Sequence, residues 1–220
     1  MTMFSIIKSG INATNKDLAV ISNNIANVST NGFKRSDAQF EDLYFSYHNN
    51  STTVANGMGV RNIKPRQSFS QGSFQQTNGS LDLAIMGEGF FTIGAPIGGI
   101  DANIPLKYTR DGSFQIDRLG NVVNNDGLPL LGIGEQPISI PININITNGI
   151  ITSNGNEVLG TDGTALTTST SVNADFVMSE LNVRDDGTID VTYGKNSITL
   201  TVGKILMADF VNEHGLQNIG

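Results

Sequence analysis

A regular series of apolar side chains dominates the first 34 residues of the chain. The series advances by alternating steps of three and four residues, and its one polar member is Thr14. Its apolar members are Phe4, Ile7, Ile11, Leu18, Ile21, Ile25 and Val28. This is the spacing of the seam positions of a coiled coil. We therefore predict a helix of about 25 residues whose apolar stripe is buried against another surface, because such a helix is marginal alone in water.

A turn and a less regular segment follow this helix. Asn31-Gly32 favours a positive φ angle and predicts that the helix ends there. The aromatic residues after the turn fit either a short helix or an extended arm, and their periodicity does not decide between the two. Residues 48–59 are polar and predict a mobile loop.

From Val60 onward the pattern changes to short strands separated by turns. Turns at Asp111-Gly112, Leu119-Gly120 and Asp186-Gly187 separate predicted strands, and Asp-Gly and Asn-Gly pairs between alternating residues are strong local signals for hairpins. The predicted strands are Gln67–Gln71, Ser73–Gln76, Leu81–Ile85, Phe90–Ile93, Lys107–Arg110, Ser113–Asp117, Asn121–Asn124, Ile138–Ile140, Ile142–Ile146, Phe176–Val183, Thr188–Tyr193, Ser197–Val202 and Ile205–Phe210. The predicted fold class is α+β, mainly β, with an N-terminal heptad helix followed by a β-rich domain that carries a β/loop insertion.

This pattern divides the chain into four parts. Residues 1–34 form a coiled-coil-like helix and its turn, and residues 35–66 form the extended arm and mobile loop. Residues 67–135 and 200–220 form the β-rich core domain, and the Thr-, Ser-, Gly- and Asn-rich residues 136–199 form an inserted β/loop segment. No second heptad helix follows the first. We therefore expect the stripe to pack against helices of neighbouring subunits rather than only against its own chain.

Composition and charge limit the range of possible functions. The net charge is −7, with seven Lys/Arg against four Asp/Glu in residues 1–66 and an acidic remainder, which argues against nucleic acid as a partner. The absence of Cys excludes disulfides and thiolate chemistry. No run of 18 apolar residues predicts a membrane span, and Met1–Gly10 lacks the pattern of a cleaved secretory signal.

Side chains that could perform catalysis or bind a metal are sparse. His48 and His214 lie far apart without metal-ligand spacing, and Gly87-Glu88-Gly89 is followed by a strand-like segment rather than a helix. Asp111 and Asp185-Asp186 each adjoin a Gly and are best explained as turn residues. We predict no catalytic, cofactor-binding or metal-binding residues and no cofactor, and hence a protein that is not an enzyme.

The end of the helix carries the most specific motif. Residues 22–34 read Ser-Asn-Asn-Ile-Ala-Asn-Val-Ser-Thr-Asn-Gly-Phe-Lys, and further matches follow in order at Leu81–Ile85, Gly87–Phe91 and Tyr108–Phe114. This series resembles the flagellar basal-body rod and hook protein family of bacteria. The resemblance covers about residues 1–135 and 200–220, whereas residues 136–200 diverge.

The resemblance implies a structural, self-assembling subunit of the flagellar rod or hook that polymerises helically for motility. Its partners would be other copies of itself, neighbouring rod and hook proteins, and the flagellar type III export apparatus. It would be located in the basal body or hook, exported without a cleaved signal peptide. The stripe would be the assembly interface, and the turn would be fixed by the motif residues Asn24, Asn27, Thr30, Gly32, Phe33 and Lys34. Rod and hook stay open as alternatives.

Two further expectations complete the sequence-based interpretation. Family members end in a second heptad helix that pairs with the first, so we expect this chain to be a fragment of a longer product rather than a variant. The alternative function is a β-rich surface adhesin or glycan-binding protein, suggested by the Asn/Thr-rich insertion. The heptad helix and the absence of Trp for sugar stacking argue against that alternative.

Overall fold

The structure is a computed structural model that describes residues 3–46, 55–94, 106–147, 150–153, 156–158, 165–167, 174–194 and 198–216. Within these ranges the chain forms one α-helix and thirteen strands, so the predicted α+β, mainly β class is confirmed. The chain divides into two compact units. The first comprises Met1–Gly72 together with Val211–Gly220, and the second comprises Ser73–Phe210.

The predicted N-terminal helix is present as α1, Met3–Ala26. It ends five residues before the predicted stop at Asn31. At this end the carbonyl of Asn23 accepts two hydrogen bonds from Asn27, one from its backbone N–H at 3.2 Å and one from its Nδ2 atom at 3.0 Å. Gly32 has a φ of 71°, as predicted, but it belongs to a second turn beyond the helix.

The helix is followed by an antiparallel hairpin of β1, Ser36–Ser46, and β2, Ala55–Gln67. The sequence left a short helix and an extended arm open for this segment, and the structure shows paired strands. The predicted mobile loop over 48–59 lies outside the described residues up to position 54. Its last residues belong to β2, contrary to the prediction. The first unit also contains a 3₁₀ helix at Glu213–Gly215.

The second unit is built from three antiparallel sheets. The largest has six strands in the order β12-β11-β10-β7-β8-β9, the next has the order β13-β3-β4, and the smallest pairs β5 with β6. The strands are β3 Phe90–Ile93, β4 Lys107–Thr109, β5 Gln115–Ile116, β6 Val122–Val123, β7 Asn143–Thr147, β8 Ile150–Ser153, β9 Asn156–Glu157, β10 Ala174–Val183, β11 Thr188–Tyr193, β12 Ile198–Lys204 and β13 Met207–Ala208.

One hydrophobic core serves the second unit. Its fully buried members are β-branched, Leu or Tyr side chains, and along β7 they alternate with more exposed polar residues. They include Val122, Leu130, Ile138, Ile140, Ile144, Ile146, Ile151, Ile189, Val191 and Tyr193. Residues from both the predicted core domain and the predicted insertion thus contribute to the same core. The division of this unit into domain and insertion stays a prediction.

Four of the predicted strands are wrong. Residues 68–80 contain no strand, and Leu81–Ile85 makes a single bridge, from Asp82 to Ser113. Ile138–Ile140 likewise makes a single bridge, from Ser139 to Asn121. Short alternating runs such as Ser73–Gln76 satisfy the pattern but find no neighbouring strand to pair with, so their periodicity alone does not make them strands.

The Asp111-Gly112 turn was also predicted incorrectly as a hairpin. β4 pairs with β3 and β5 pairs with β6, so the strands on either side of Gly112 do not pair with each other. A Cβ atom on Gly112 would overlap the carbonyl oxygen of Leu83, so this glycine permits a close backbone approach instead. In contrast, the turns predicted at Leu119-Gly120 and Asp186-Gly187 do connect paired strands.

Candidate assembly face on the N-terminal helix

The apolar stripe of α1 is exposed along its whole length. Seven side chains, each between 44% and 82% exposed, form it: Phe4, Ile7, Ile11, Leu18, Ile21, Ile25 and Val28, the last of which lies in the turn after the helix. The polar member of the series, Thr14, turns its hydroxyl back to donate to the carbonyl of Gly10 at 3.1 Å. A contiguous apolar surface of this kind is typical of a protein–protein interaction site.

A different face of α1 contacts the hairpin. Ala13 and Val20 are buried, and they lie roughly 120° around the helix from the stripe at about 100° per residue. Ser9 and Asn24 are half-buried on the same side. Because this face consists of small and polar residues, it carries no strong hydrophobic signal and the sequence did not reveal it. Its spacing, 9, 13, 20 and 24, is the only signal that could have identified it.

Ser9 and Gly59 mark the closest approach between the helix and β2. Ser9 Oγ donates to the carbonyl of Ile6 at 2.7 Å and accepts from the backbone N–H of Val60 at 3.3 Å. Gly59 has a φ of 93°, and a Cβ atom on it would overlap Ser9 Oγ. A glycine is therefore required here both for the backbone angle and for the space.

The C-terminal end of α1 is tied to both ends of the hairpin. Asn24 makes two hydrogen bonds with the backbone of Ser36, at 2.8 and 3.0 Å. Lys34 Nζ donates to the carbonyls of Ser70 at 3.0 Å and Phe69 at 3.4 Å. The backbone N–H of Ser68 donates to the carbonyl of Arg35 at 2.9 Å. These contacts fix where the chain enters and leaves the hairpin.

The other motif residues shape the turn between α1 and β1. Thr30 Oγ1 donates to Asn27 Oδ1 at 3.2 Å, and its backbone N–H donates to the Asn27 carbonyl at 3.0 Å. The backbone N–H of Phe33 donates to the carbonyl of Thr30 at 3.3 Å, around Gly32. The structure thus brings all six motif residues together at one end of the helix, separate from most of the stripe.

Carboxylates in the second unit serve turns and ion pairs. Asp111 Oδ1 accepts from the backbone N–H of Ser113 at 3.1 Å, and Asp186 Oδ1 accepts from that of Thr188 at 3.0 Å, as the predicted turn roles require. The hydrogen bonds from Thr188 hold the pKa of Asp186 below its usual value. Asp190 is buried and paired with Arg184 at 2.5 Å.

No set of chemically reactive side chains stands out among the described residues. His48 and the side chain of His214 lie outside them. Within the described ranges, no three His, Asp or Glu residues cluster closely enough to hold a metal ion. Over the same residues, no helix has the length and apolar character needed to cross a membrane.

Comparison with known proteins addresses the identity of this fold. Residues 84–191 match the family described as "Flagellar hook protein FlgE/F/G D1 domain", and residues 7–34 match "Flagella basal body rod protein". The flagellar basal-body rod protein FlgG of Buchnera aphidicola subsp. Schizaphis graminum is 35% identical over 98% of this chain and 70% of its own length. The chain belongs to the bacterial flagellar rod and hook protein family. Within this family it is a structural component of the flagellar axial structure.

Two other members show how the similarity is distributed. FlgG of Borreliella burgdorferi is 28% identical over 96% of this chain and 68% of its own length. The flagellar hook protein FlgE of Escherichia coli is 37% identical, over 67% of this chain and 35% of its own length. The match at residues 7–34 contains the stripe from Ile7 onward and the whole motif turn.

Proposed function

We propose that this chain is a self-assembling subunit of the rod type and that it polymerises through the α1 stripe. The rod assignment is supported by the extent of the matches. The FlgG relatives align with nearly the whole chain, whereas the E. coli hook protein aligns with about two thirds of it. The self-assembly role is carried by a single observation, the exposed apolar stripe.

Burial of the stripe would supply the driving force for assembly. Fully burying a Leu, Ile or Val side chain contributes about 1.5–3 kcal/mol. These side chains are already partly covered by their own helix, so each would gain roughly half of that in a helix–helix interface. The three-and-four spacing is the one that lets such side chains interdigitate between neighbouring helices.

The two faces of α1 would therefore make different contacts. The small and polar face, with Ala13 and Val20, holds the helix on its own hairpin. The apolar face is left for helices of adjacent subunits. The Asn24–Ser36 and Lys34–Ser70 contacts would set the angle at which the hairpin leaves the helical core of the assembly.

The remaining parts of the proposal follow from family membership. The partners would be further copies of this chain, neighbouring rod and hook proteins, and the flagellar type III export apparatus. The chain would reach the basal body without a cleaved signal peptide. It would perform no catalysis, a proposal supported by the commitment of its well-placed carboxylates to turns and ion pairs.

A pair of substitutions on α1 tests the assembly role. Ile21→Glu places a charge in the stripe, whereas Ala19→Glu places the same charge on an exposed position outside it. We expect Ile21→Glu to abolish concentration-dependent sedimentation and Ala19→Glu to leave it intact, with both variants keeping the circular dichroism of the parent chain. Equal sedimentation of the two variants would contradict the role of the stripe.

A further inference from the structure

The two units of the chain carry opposite charge. The first unit has seven Lys/Arg against five Asp/Glu, a net charge of +2, and the second has six against fifteen, a net charge of −9. Contacts between second units of different copies are therefore disfavoured, and contacts between a first unit and a second unit are favoured. Self-assembly of many copies thus has an electrostatic preference for joining unlike units.

A groove on the hairpin provides a basic and apolar surface within the first unit. It encloses about 460 Å³ and runs past Gln39, Ile63, Pro65 and Leu216. Lys64 and Arg66 line it and are exposed. Ile63 is 44% exposed as well. The groove lies outside the α1 stripe and is not used by the assembly contact described above.

The outer face of the six-stranded sheet carries an exposed apolar side chain beside acidic ones. Val177 is 60% exposed on β10, an inner strand of that sheet, among otherwise polar neighbours. Asp175 precedes it by two residues and therefore points to the same face. Glu180 follows, and the bulge between Met178 and Glu180 returns its side chain to that face. We call Asp175, Val177 and Glu180 the β10 acidic patch; Asp175 and Val177 line a shallow concavity of about 570 Å³, in which Asn145 Nδ2 donates to Asp175 Oδ1 at 2.7 Å.

We propose that the hairpin groove of one copy binds the β10 acidic patch of a second copy. The inference rests on the self-assembly proposed above and names a second contact for it. In this contact Val177 packs against the exposed Ile63. The carboxylates of Asp175 and Glu180 lie opposite the positive charges of Lys64 and Arg66. Groove and patch are different surfaces on different units, so the contact, repeated in one direction, links copies head-to-tail.

Charge exchange in the full-length chain tests this contact. Lys64→Glu and Glu180→Lys should each raise the concentration needed for half-maximal sedimentation about three- to tenfold in low salt. The double variant should return it to within about twofold of the parent value, because the exchanged charges attract again. Lys107→Glu is the matched control, since it makes the same charge change at an exposed residue of β4.

Each outcome has a definite consequence. Loss in the two single variants with recovery in the double variant supports the contact, as does a parent affinity that weakens with added salt while Lys107→Glu behaves like the parent. Loss with Lys64→Glu but no recovery in the double variant would mean that the groove binds something other than the β10 patch, and it would overturn the proposal. Unchanged assembly in all variants would overturn it while leaving the stripe intact, and a parent chain that never associates would overturn both proposals.

Discussion

The side-chain amide of Asn24 forms two hydrogen bonds with the backbone of Ser36. Nδ2 donates to the Ser36 carbonyl at 2.8 Å, and Oδ1 accepts from the Ser36 N–H at 3.0 Å. An adjacent β-strand would make the same pair of bonds, so Asn24 joins the last turns of α1 to the first residue of β1. This side chain therefore helps to set the direction of the hairpin relative to the helix, together with the Lys34 and Ser68 contacts.

Replacing Asn24 should loosen this junction. We expect Asn24→Ala to lower the free energy of unfolding by about 1–3 kcal/mol, because two part-buried hydrogen bonds are lost and the Ser36 backbone groups lose their partner. Urea unfolding followed by circular dichroism measures the change. Asn23→Ala is the control, because only the backbone carbonyl of Asn23 takes part in the contacts described here. Equal losses of unfolding free energy in the two variants would show that the Asn24–Ser36 hydrogen bonds do not stabilise this junction.

Gly59→Ala should be more costly than an alanine at an open glycine of similar backbone angle. Gly59 and Gly87 have φ values of 93° and 92°, but only at Gly59 would a Cβ atom meet Ser9. The backbone strain of about 1–2 kcal/mol is common to both substitutions. The overlap with Ser9 should add roughly 1–3 kcal/mol at Gly59. Thermal unfolding of both variants tests this prediction. Equal decreases in Tm would show that the overlap with Ser9 adds no cost.

Gly32 should accept asparagine but not valine. Its φ of 71° lies in the left-handed region, where Asn is tolerated and a β-branched residue is strongly disfavoured. In cells that depend on this protein for swimming, Gly32→Val should reduce motility because the hairpin leaves the helix in the wrong direction. Gly32→Asn should swim almost normally. Normal swimming of the Gly32→Val variant would show that the turn at Gly32 does not direct the hairpin.

Tyr193 should make stability depend on alkaline pH. Its side chain is fully buried and its hydroxyl donates to the carbonyl of Pro141 at 2.7 Å. Burial raises the pKa of Tyr193 above its usual value of about 10. Above that pH the unfolded chain loses the proton while the folded chain keeps it, so stability is complete below about pH 10 and falls as the pH rises.

A Tyr193→Phe variant separates this effect from the other tyrosines. It should lose about 1–2 kcal/mol at neutral pH, because the Pro141 carbonyl stays buried without its donor. Between pH 9 and 11 its free energy of unfolding should fall less steeply than that of the parent, by up to about 1.4 kcal/mol per pH unit. Parallel pH curves for the two proteins would show that Tyr193 does not titrate as described.

Local patterns predicted the features that depend on near neighbours in sequence. The heptad spacing from Phe4 to Val28 predicted α1, and the Gly residues at 32, 120 and 187 were placed correctly in turns. Each of these signals rests on a few consecutive residues whose backbone preferences are strong. The motif at residues 22–34 added the family, which no periodicity could supply.

Features that depend on distant residues were missed. The inner face of α1 includes Ser9, whose close approach to β2 depends on Gly59, fifty residues later. Gly112 was assigned to a hairpin because Asp-Gly is a common turn, yet the approach of Leu83 explains it. In both cases small residues allow close backbone contact. A small residue alone does not predict such a contact, because the segment that packs against it is distant in the sequence.

Burial of the α1 stripe between subunits is the central claim, and thiol accessibility measures it most directly. The chain has no Cys, so Leu18→Cys and Ala19→Cys each introduce a single thiol, one in the stripe and one beside it. Maleimide labelling rates are compared between dilute and assembled protein. We predict that assembly slows labelling of Leu18→Cys by about tenfold or more and that of Ala19→Cys by less than about twofold. Equal rates for the two thiols in the assembled state would contradict the claim.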